Sequence, residues 1–377
     1  MRAGRSSFVR GRLLVVVLAL LGLQLGSLVA PAYACGCGAM VPDAQRHVTV
    51  NRETSVVRFD GRQEQIVMRL TVTGDSRKAA WIMPVPHRAT VKLGDDELFG
   101  LLDDAVAPEH RTRHHFWPDS GDWPFAGGGD TAADAPRAGA TAPSVDVVGR
   151  ERLGPFDVAR LTATDSGALG DWLSENGFSL PARLDKALQP YVDQGWEYVA
   201  IRLAPEQDDA PLGGTLDPLH LTFASDELVY PMRLSRLART PQSLGLYVLA
   251  AHRMEPGSSI GGDAPRITYA GRISALPGPL AGLTADGTDF LTALDQEFPQ
   301  PSLISGDHRL RRTATDATYR QVIYSDRLLM AGPVPAWLLT VLAVLAAALT
   351  VLALRVRAHR RRPVLPPPPV QAPPPIG

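Results

Sequence analysis

The residues best placed to do chemistry are Cys35 and Cys37, in the run Cys35-Gly36-Cys37-Gly38. They are the only cysteines of the 377-residue chain, so no second pair can staple the interior. Four chemistries are open to them. An oxidising compartment would allow a local, strained disulfide. The two could be free or partner-linked thiols. Cys35 could carry a lipid, although the residues before it lack the leucine that such sites use. The thiolates could also hold a soft metal with Met40 or His47, but two thiolates alone make an incomplete site.

Other groupings carry weaker signals. His110 and His114 would share a face of a helix, as zinc ligands often do, but Pro and Gly follow and no third ligand accompanies them. Ser305 and Asp307-His308 contain the three residue types of a hydrolytic triad, yet a triad is assembled by folding and not by adjacency. Trp81, Trp172, Trp196 and Tyr230 could line a cleft for a glycan or peptide, and pack a core at least as naturally. Asp171 and Glu175, one helical turn apart, read as a solvated face. The zinc-protease helix, the phosphate-binding loop and the dinucleotide fingerprint are missing from the sequence, and no cofactor is expected.

These residues must be positioned by the elements around them. Ser55–Asp60 and Glu64–Val72 read as two strands around an Asp60-Gly61 turn. Ala79–Val85 is a third, and its Pro84 implies an edge position or the end of pairing. Asp95–Ala107 reads as a helix with Leu98, Leu101, Leu102 and Val106 on one stripe. Asp165–Asn176 and Pro181–Val192 are two more, the first closed by Asn176-Gly177, and the pair is expected to cover one face of a sheet. Strands are expected at Val145–Glu151, Phe156–Leu161, Trp196–Leu203, Leu219–Phe223, Leu228–Leu234 and Leu244–Ala250, and a last helix at Phe290–Phe298. His110–Pro143, rich in Gly, Ala, Asp and Pro, reads as an exposed loop or insertion.

Both ends are apolar. Arg2, Arg5, Arg10 and Arg12 precede an apolar run from Leu13 to Leu25, and Ala32-Tyr33-Ala34 offers a cleavage site, so residues 1–34 read as a secretory signal. Residues 334–354 form an uncharged run of about 21 residues, or roughly 31 Å as helix, enough to cross a bilayer. Trp337 sits where an interfacial aromatic belongs. Arg355, Arg357, Arg360, Arg361 and Arg362 follow, which places the C-terminus in the cytoplasm. Beyond them, residues 363–377 are rich in proline and favour an extended spacer that could dock a cytoplasmic partner. The 38 basic and 39 acidic residues leave a net charge of −1, which argues against nucleic acid as a partner.

Several strings together resemble the bacterial family called domain of unknown function 2330. They are Trp81-Ile82-Met83-Pro84-Val85-Pro86, then Gly154-Pro155-Phe156-Asp157-Val158 with Asp171-Trp172-Leu173 and Asn176-Gly177-Phe178. Gly195-Trp196-Glu197-Tyr198-Val199-Ala200 follows, and last come Leu221-Thr222-Phe223-Ala224-Ser225 and Val229-Tyr230-Pro231. Cys35-Gly36-Cys37 after a signal also fits. The resemblance covers roughly Cys35 to Ala250 and implies an exported or membrane-anchored protein; it brings no activity and no catalytic residue.

The expectation is therefore an α+β protein, mainly antiparallel, with two or three helices. One extracytoplasmic domain spans 35–332, with an insertion at 110–143, on a single membrane helix. Its partners would be membrane lipid and an extracytoplasmic protein or glycan. A noncatalytic binding or structural role is favoured over a thiol, soft-metal or hydrolytic one.

Overall fold

The computed structural model describes residues 38–43, 46–119, 151–153, 156–161, 166–203, 212–273 and 278–360. Contacts divide the chain into two compact units, Met1–Pro108 with Ala142–Gln321, and Glu109–Thr141 with Val322–Gly377.

The first unit begins with β1 (Ala39–Pro42), β2 (Val48–Phe59), β3 (Gln63–Gly74), β4 (Ala79–Val85), β5 (Thr90–Leu93) and helix α1 (Glu97–Val106). The β2–β3 hairpin turns where Asp60-Gly61 predicts: Gly61 has φ +94°, and Asp60 Oδ1 accepts the N–H groups of Arg62 and Gln63 at 3.0 and 2.8 Å. Later strands of this unit are β7 (Glu151–Leu153), β8 (Phe156–Leu161), β9 (Glu197–Leu203), β10 (Gly214–Thr215), β11 (Leu219–Ala224) and β12 (Leu228–Tyr230). They are followed by β13 (Gln242–Ala250), β14 (Met254–Pro256), β15 (Arg266–Arg272), β16 (Phe290–Phe298), β17 (His308–Arg312) and β18 (Tyr319–Arg320). Its other described helices are α2 (Ser166–Glu175), α3 (Ala182–Val192) and the five-residue α4 (Pro279–Leu283).

The largest sheet runs β18-β15-β16-β13-β2-β3-β11-β5, with β10 also on β3; within it only β13 and β2 are parallel. A five-stranded antiparallel sheet, β1-β4-β9-β8-β7, and a three-stranded one, β12-β17-β14, complete the unit. One apolar cluster joins inward residues of all three sheets, among them Ile66, Met68, Trp81, Ile201, Leu246 and Leu310. On the outer face of the large sheet, Val56, Leu249 and Leu291 meet Leu98, Phe99 and Leu102 of α1 and Leu280 and Leu283 of α4. On the outer face of the five-stranded sheet, Ala80, Ile82 and Ala200 meet Leu169, Leu173, Leu184, Leu188 and Tyr191 of α2 and α3. The order is thus helices, sheet, sheets, helices, the solution expected when each sheet must bury both faces. The α2–α3 pair covers one sheet face as its apolar stripes require. Asn176-Gly177 closes α2: Gly177 has φ +80°, and the Phe178 N–H donates to Leu173 O at 2.8 Å.

Three expectations need correction. Phe290–Phe298 is strand β16, not a helix, because it lies between β15 and β13 and is buried on both faces, a setting in which apolar periodicity cannot separate strand from helix. The strand expected at Leu228–Leu234 stops at Tyr230, since Pro231 cannot continue the ladder, and Arg233–Leu237 forms a 3₁₀ turn. His110–His115 belongs to a strand and not a loop, although it is exposed as a solvated segment should be. Pro84 needs no correction. β1 pairs only with Ala79–Ile82, so Pro84 has a strand on one side alone. The strand expected at Val145–Glu151 falls largely outside the described residues, as does most of the 110–143 segment.

The second unit holds β6 (Glu109–His115), parallel to β19 (Val322–Leu328), then the short hairpin β20 (Met330–Ala331) with β21 (Val334–Pro335). Its last described element is α5 (Ala336–Arg360), 25 residues of mean hydropathy 2.5 over its most apolar stretch, a helix long and apolar enough to span a membrane.

Candidate functional site

The sandwich core carries a polar seam. A register shift between Val50 and Arg52 changes the parity of β2: Val48 and Val50 point into the core before it, Val57 after it. Glu53 and Ser55, 2% and 0% exposed, share the inward parity of Val57. Tyr230 meets both from the facing sheet, its hydroxyl donating to the Glu53 carboxylate and lying 2.6 Å from Ser55 Oγ. Nearby, Glu64 is fully buried. Its Oε2 accepts the Val229 N–H at 3.1 Å, and its Oε1 finds no hydrogen-bond partner among the described residues. Burial pushes the Glu64 carboxyl well above its usual range, so the neutral acid is favoured.

His308, 1% exposed, extends the seam. Gln296 Nε2 donates to Gly261 O and Asp263 O at 3.0 and 2.8 Å, which turns its Oε1 toward His308 Nε2 at 2.7 Å. His308 must therefore carry its proton on Nε2 and leave Nδ1 bare, without a hydrogen bond among the described residues. Burial holds this imidazole down to about 4. Asp307 faces elsewhere, as its place next to His308 in a strand region requires. Its Oδ1 accepts the Tyr191 hydroxyl at 2.6 Å and the N–H groups of Met232 and Arg233, each at 2.9 Å. Ser305 Oγ donates to Ile260 O at 3.3 Å. These contacts do not assemble Ser305, Asp307 and His308 into a triad.

The aromatic residues resolve toward packing. Trp81, Trp196 and Tyr230 are buried and Trp172 is half-buried against the α2–α3 cluster. Asp171 and Glu175 are exposed. His110 and His114 lie in β6, and the described residues hold no group of three or more His, Cys, Asp or Glu side chains able to bind a metal. Cys35 and Cys37 lie outside the described residues. The glycine that closes their motif is described: Gly38 is clamped, since a Cβ there would sit 2.5 Å from Ile82 O and 2.8 Å from Trp81 Nε1. Gly38→Ala is expected to cost about 1–3 kcal/mol through forced displacement of β4, measured as a lower unfolding midpoint. Trp337 is the second residue of α5, and Arg355, Arg357 and Arg360 lie at its C-terminal end; Arg361 and Arg362 are outside the described residues.

Among the described residues, a groove of about 240 Å³ opens on the outer face of the large sheet, beside α1. Arg52 of β2, Asp103 of α1, Tyr247 of β13 and Asp295 of β16 line it with Thr268 and Gln321. Gly245 is its floor: a Cβ there would lie 3.6 Å from Arg52 Nη2 and 3.7 Å from Asp295 Oδ1, so the missing side chain opens space between cation and carboxylate. The Tyr247 hydroxyl donates to Asp103 Oδ1. Burial, with that hydrogen bond, pushes the phenol up and keeps it protonated. Arg266 Nη2 lies 3.4 Å from Asp295 Oδ2, whereas Arg52 forms no ion pair among the described residues. The groove can thus offer a free guanidinium to an anion and two carboxylates to hydroxyl or ammonium donors. No short motif announces it: Arg52, Asp103, Tyr247 and Asp295 come from four elements spread along the chain. Exposed charges on strands and a helix carry no sequence signal until the sheet brings them together.

The fold defines a mainly antiparallel α+β unit, and the described residues also hold one membrane-length helix. Residues 31–311 match the family described as "Uncharacterized protein conserved in bacteria (DUF2330)", and the chain belongs to that family. No curated protein matches it. Among solved structures, the crystal structure of baculovirus P35 is similar at 8% identity, covering 73% of this chain and 97% of that chain at a TM-score of 0.31, too low to carry an argument.

Proposed function

We propose that this chain is a membrane-anchored, noncatalytic binding protein of the bacterial cell envelope, exported by a signal at residues 1–34 and held by α5. The arginines that follow Leu354 keep the Pro-rich tail in the cytoplasm and the β-rich unit outside. The observation that carries the binding reading is the free Arg52 guanidinium over Gly245, flanked by Asp103, Asp295 and the Tyr247 hydroxyl. This set suits an acidic sugar: a carboxylate for Arg52, and ring hydroxyls for the two aspartates. At about 240 Å³ the groove is smaller than the roughly 300–1,000 Å³ of drug-sized sites, so it takes one residue of a longer glycan.

The test is titration of the detergent-solubilised full chain with uronic-acid oligosaccharides and their neutral counterparts. Binding confined to the acidic series, weakened by salt, is expected. Arg52→Gln should weaken it about tenfold or more, the value of a charged hydrogen bond. Gly245→Leu should block it by filling the floor. Equal binding by Arg52→Gln, or none by the native chain, would overturn the reading.

A further inference from the structure

In the second unit, an aromatic tip stands beside the start of the apolar helix. β6 and β19 run parallel from Glu109↔Val322 to His115↔Leu328, and Arg113 holds Asp326 with two bonds of 2.7 and 2.9 Å. At the end of this ribbon, the Leu329 N–H donates to His115 O at 2.8 Å, and the Ala336 N–H donates to Leu329 O at 2.9 Å. Leu329 thus links the end of β6 directly to the first residue of α5. Phe116 and Trp117 follow His115 at once. Their rings meet edge to face at 5.2 Å, and His115 Nδ1 lies 2.7 Å from Trp117 O, tying the turn. Trp117 is 64% exposed; Phe116, Leu329 and Met330 are exposed around the same junction.

Water is a poor partner for this group of side chains. We propose that the Phe116–Trp117 tip is a second membrane contact, seated in the lipid headgroup interface beside the point where α5 enters the bilayer; the proposal rests on α5 being a membrane span. The apolar part of α5 begins at Ala336, with Trp337 at interfacial depth. Trp117 is two residues from His115, a reach of at most about 7 Å. The headgroup zone on each side of a bilayer is about 5–7 Å thick, so the tip is within reach of it when α5 spans. Tryptophan prefers that zone, where its ring is buried and its N–H stays wet. The tip would fix the height of the β6–β19 ribbon on the membrane, adding a second point of attachment to a single helix that could otherwise swivel.

The experiment uses the full chain reconstituted in phosphatidylcholine vesicles whose acyl chains carry bromine near the headgroup. Subtracting the emission of Trp117→Leu, and separately of Trp337→Leu, from that of the native chain isolates each indole. The expected result is that both difference signals are lost to brominated lipid and that the Trp117 signal is shielded from aqueous iodide. If the Trp337 signal is quenched by lipid while the Trp117 signal is quenched by iodide alone, the proposal is overturned and the membrane span stands. If lipid quenches neither, both fail. Trp117 is exposed, so its replacement leaves the fold intact.

Discussion

Replacing His308 with glutamine is expected to remove about 3 kcal/mol of acid sensitivity from the folded protein. The imidazole is held at about 4 in the fold against 6.5 when free, because burial disfavours the cation. A group whose folded value is depressed in this way must stay neutral to remain inside. At neutral pH it is neutral in both states and costs nothing. As pH falls below 6.5 the unfolded chain binds a proton that the folded chain refuses, and stability drains until about pH 4. A span of about 2.5 units at 1.36 kcal/mol each gives the figure of about 3 kcal/mol. Glutamine can still donate to Gln296 Oε1 but does not titrate. Glu64 works in the opposite direction. Its folded value is raised by burial, so the neutral acid is compatible with the fold at low pH, and stability is lost as pH rises from the unfolded value through the raised one. The seam therefore limits the fold from both sides, and Glu64→Gln should lift the alkaline limb alone. Urea unfolding of the native chain and the two variants across the pH range checks both signs. Parallel profiles for native and His308→Gln protein would refute the first.

What was legible in the sequence was whatever depends on near neighbours along the chain. The β2–β3 hairpin follows from Asp60-Gly61, the stop of α2 from Asn176-Gly177, and the apolar helix α5 from an uncharged run ending in arginines. One element buried on both faces was not legible: β16 has Leu294 and Phe298 on one side and Leu291 and Ala293 on the other, and such a pattern suits a helix equally well. One signal was present and unread. Glu64 stands at an inward position of the alternation Glu64, Ile66, Met68, Leu70, Val72, and a carboxylate in a core register marks a buried polar site. Glu53 could not be found this way, because the bulge near Asn51 inverts the parity of β2 and a bulge leaves no fixed sequence mark. The groove was beyond reach for a different reason. Asp103 and Tyr247 are 144 positions apart, and only the packing of α1 on the outer face of β13 makes them partners.

Trp81→Ala is expected to cost about 3–5 kcal/mol, a large share of the roughly 5–15 kcal/mol that holds a domain folded. The reason lies in where β4 runs. Trp81 is fully buried, with Met40 of β1 on one side and Ile201 of β9 on the other, and its ring fills the core shared by the sheets. Because sheets bound the cavity on both sides, the surroundings cannot collapse far into it, which places the cost at the upper end of the range. The ring also packs against Gly38, so its loss frees the start of β1 as well as hollowing the core. Trp172 supplies the contrast. It has the same side chain but is only half-buried, on the α2–α3 layer, and Trp172→Ala should cost clearly less. Trp81→Phe, which keeps most of the volume, should fold with a smaller loss. Unfolding midpoints of the three variants in detergent decide the matter. If Trp81→Ala and Trp172→Ala unfold together, the shared core between the sheets does not carry the stability assigned to it.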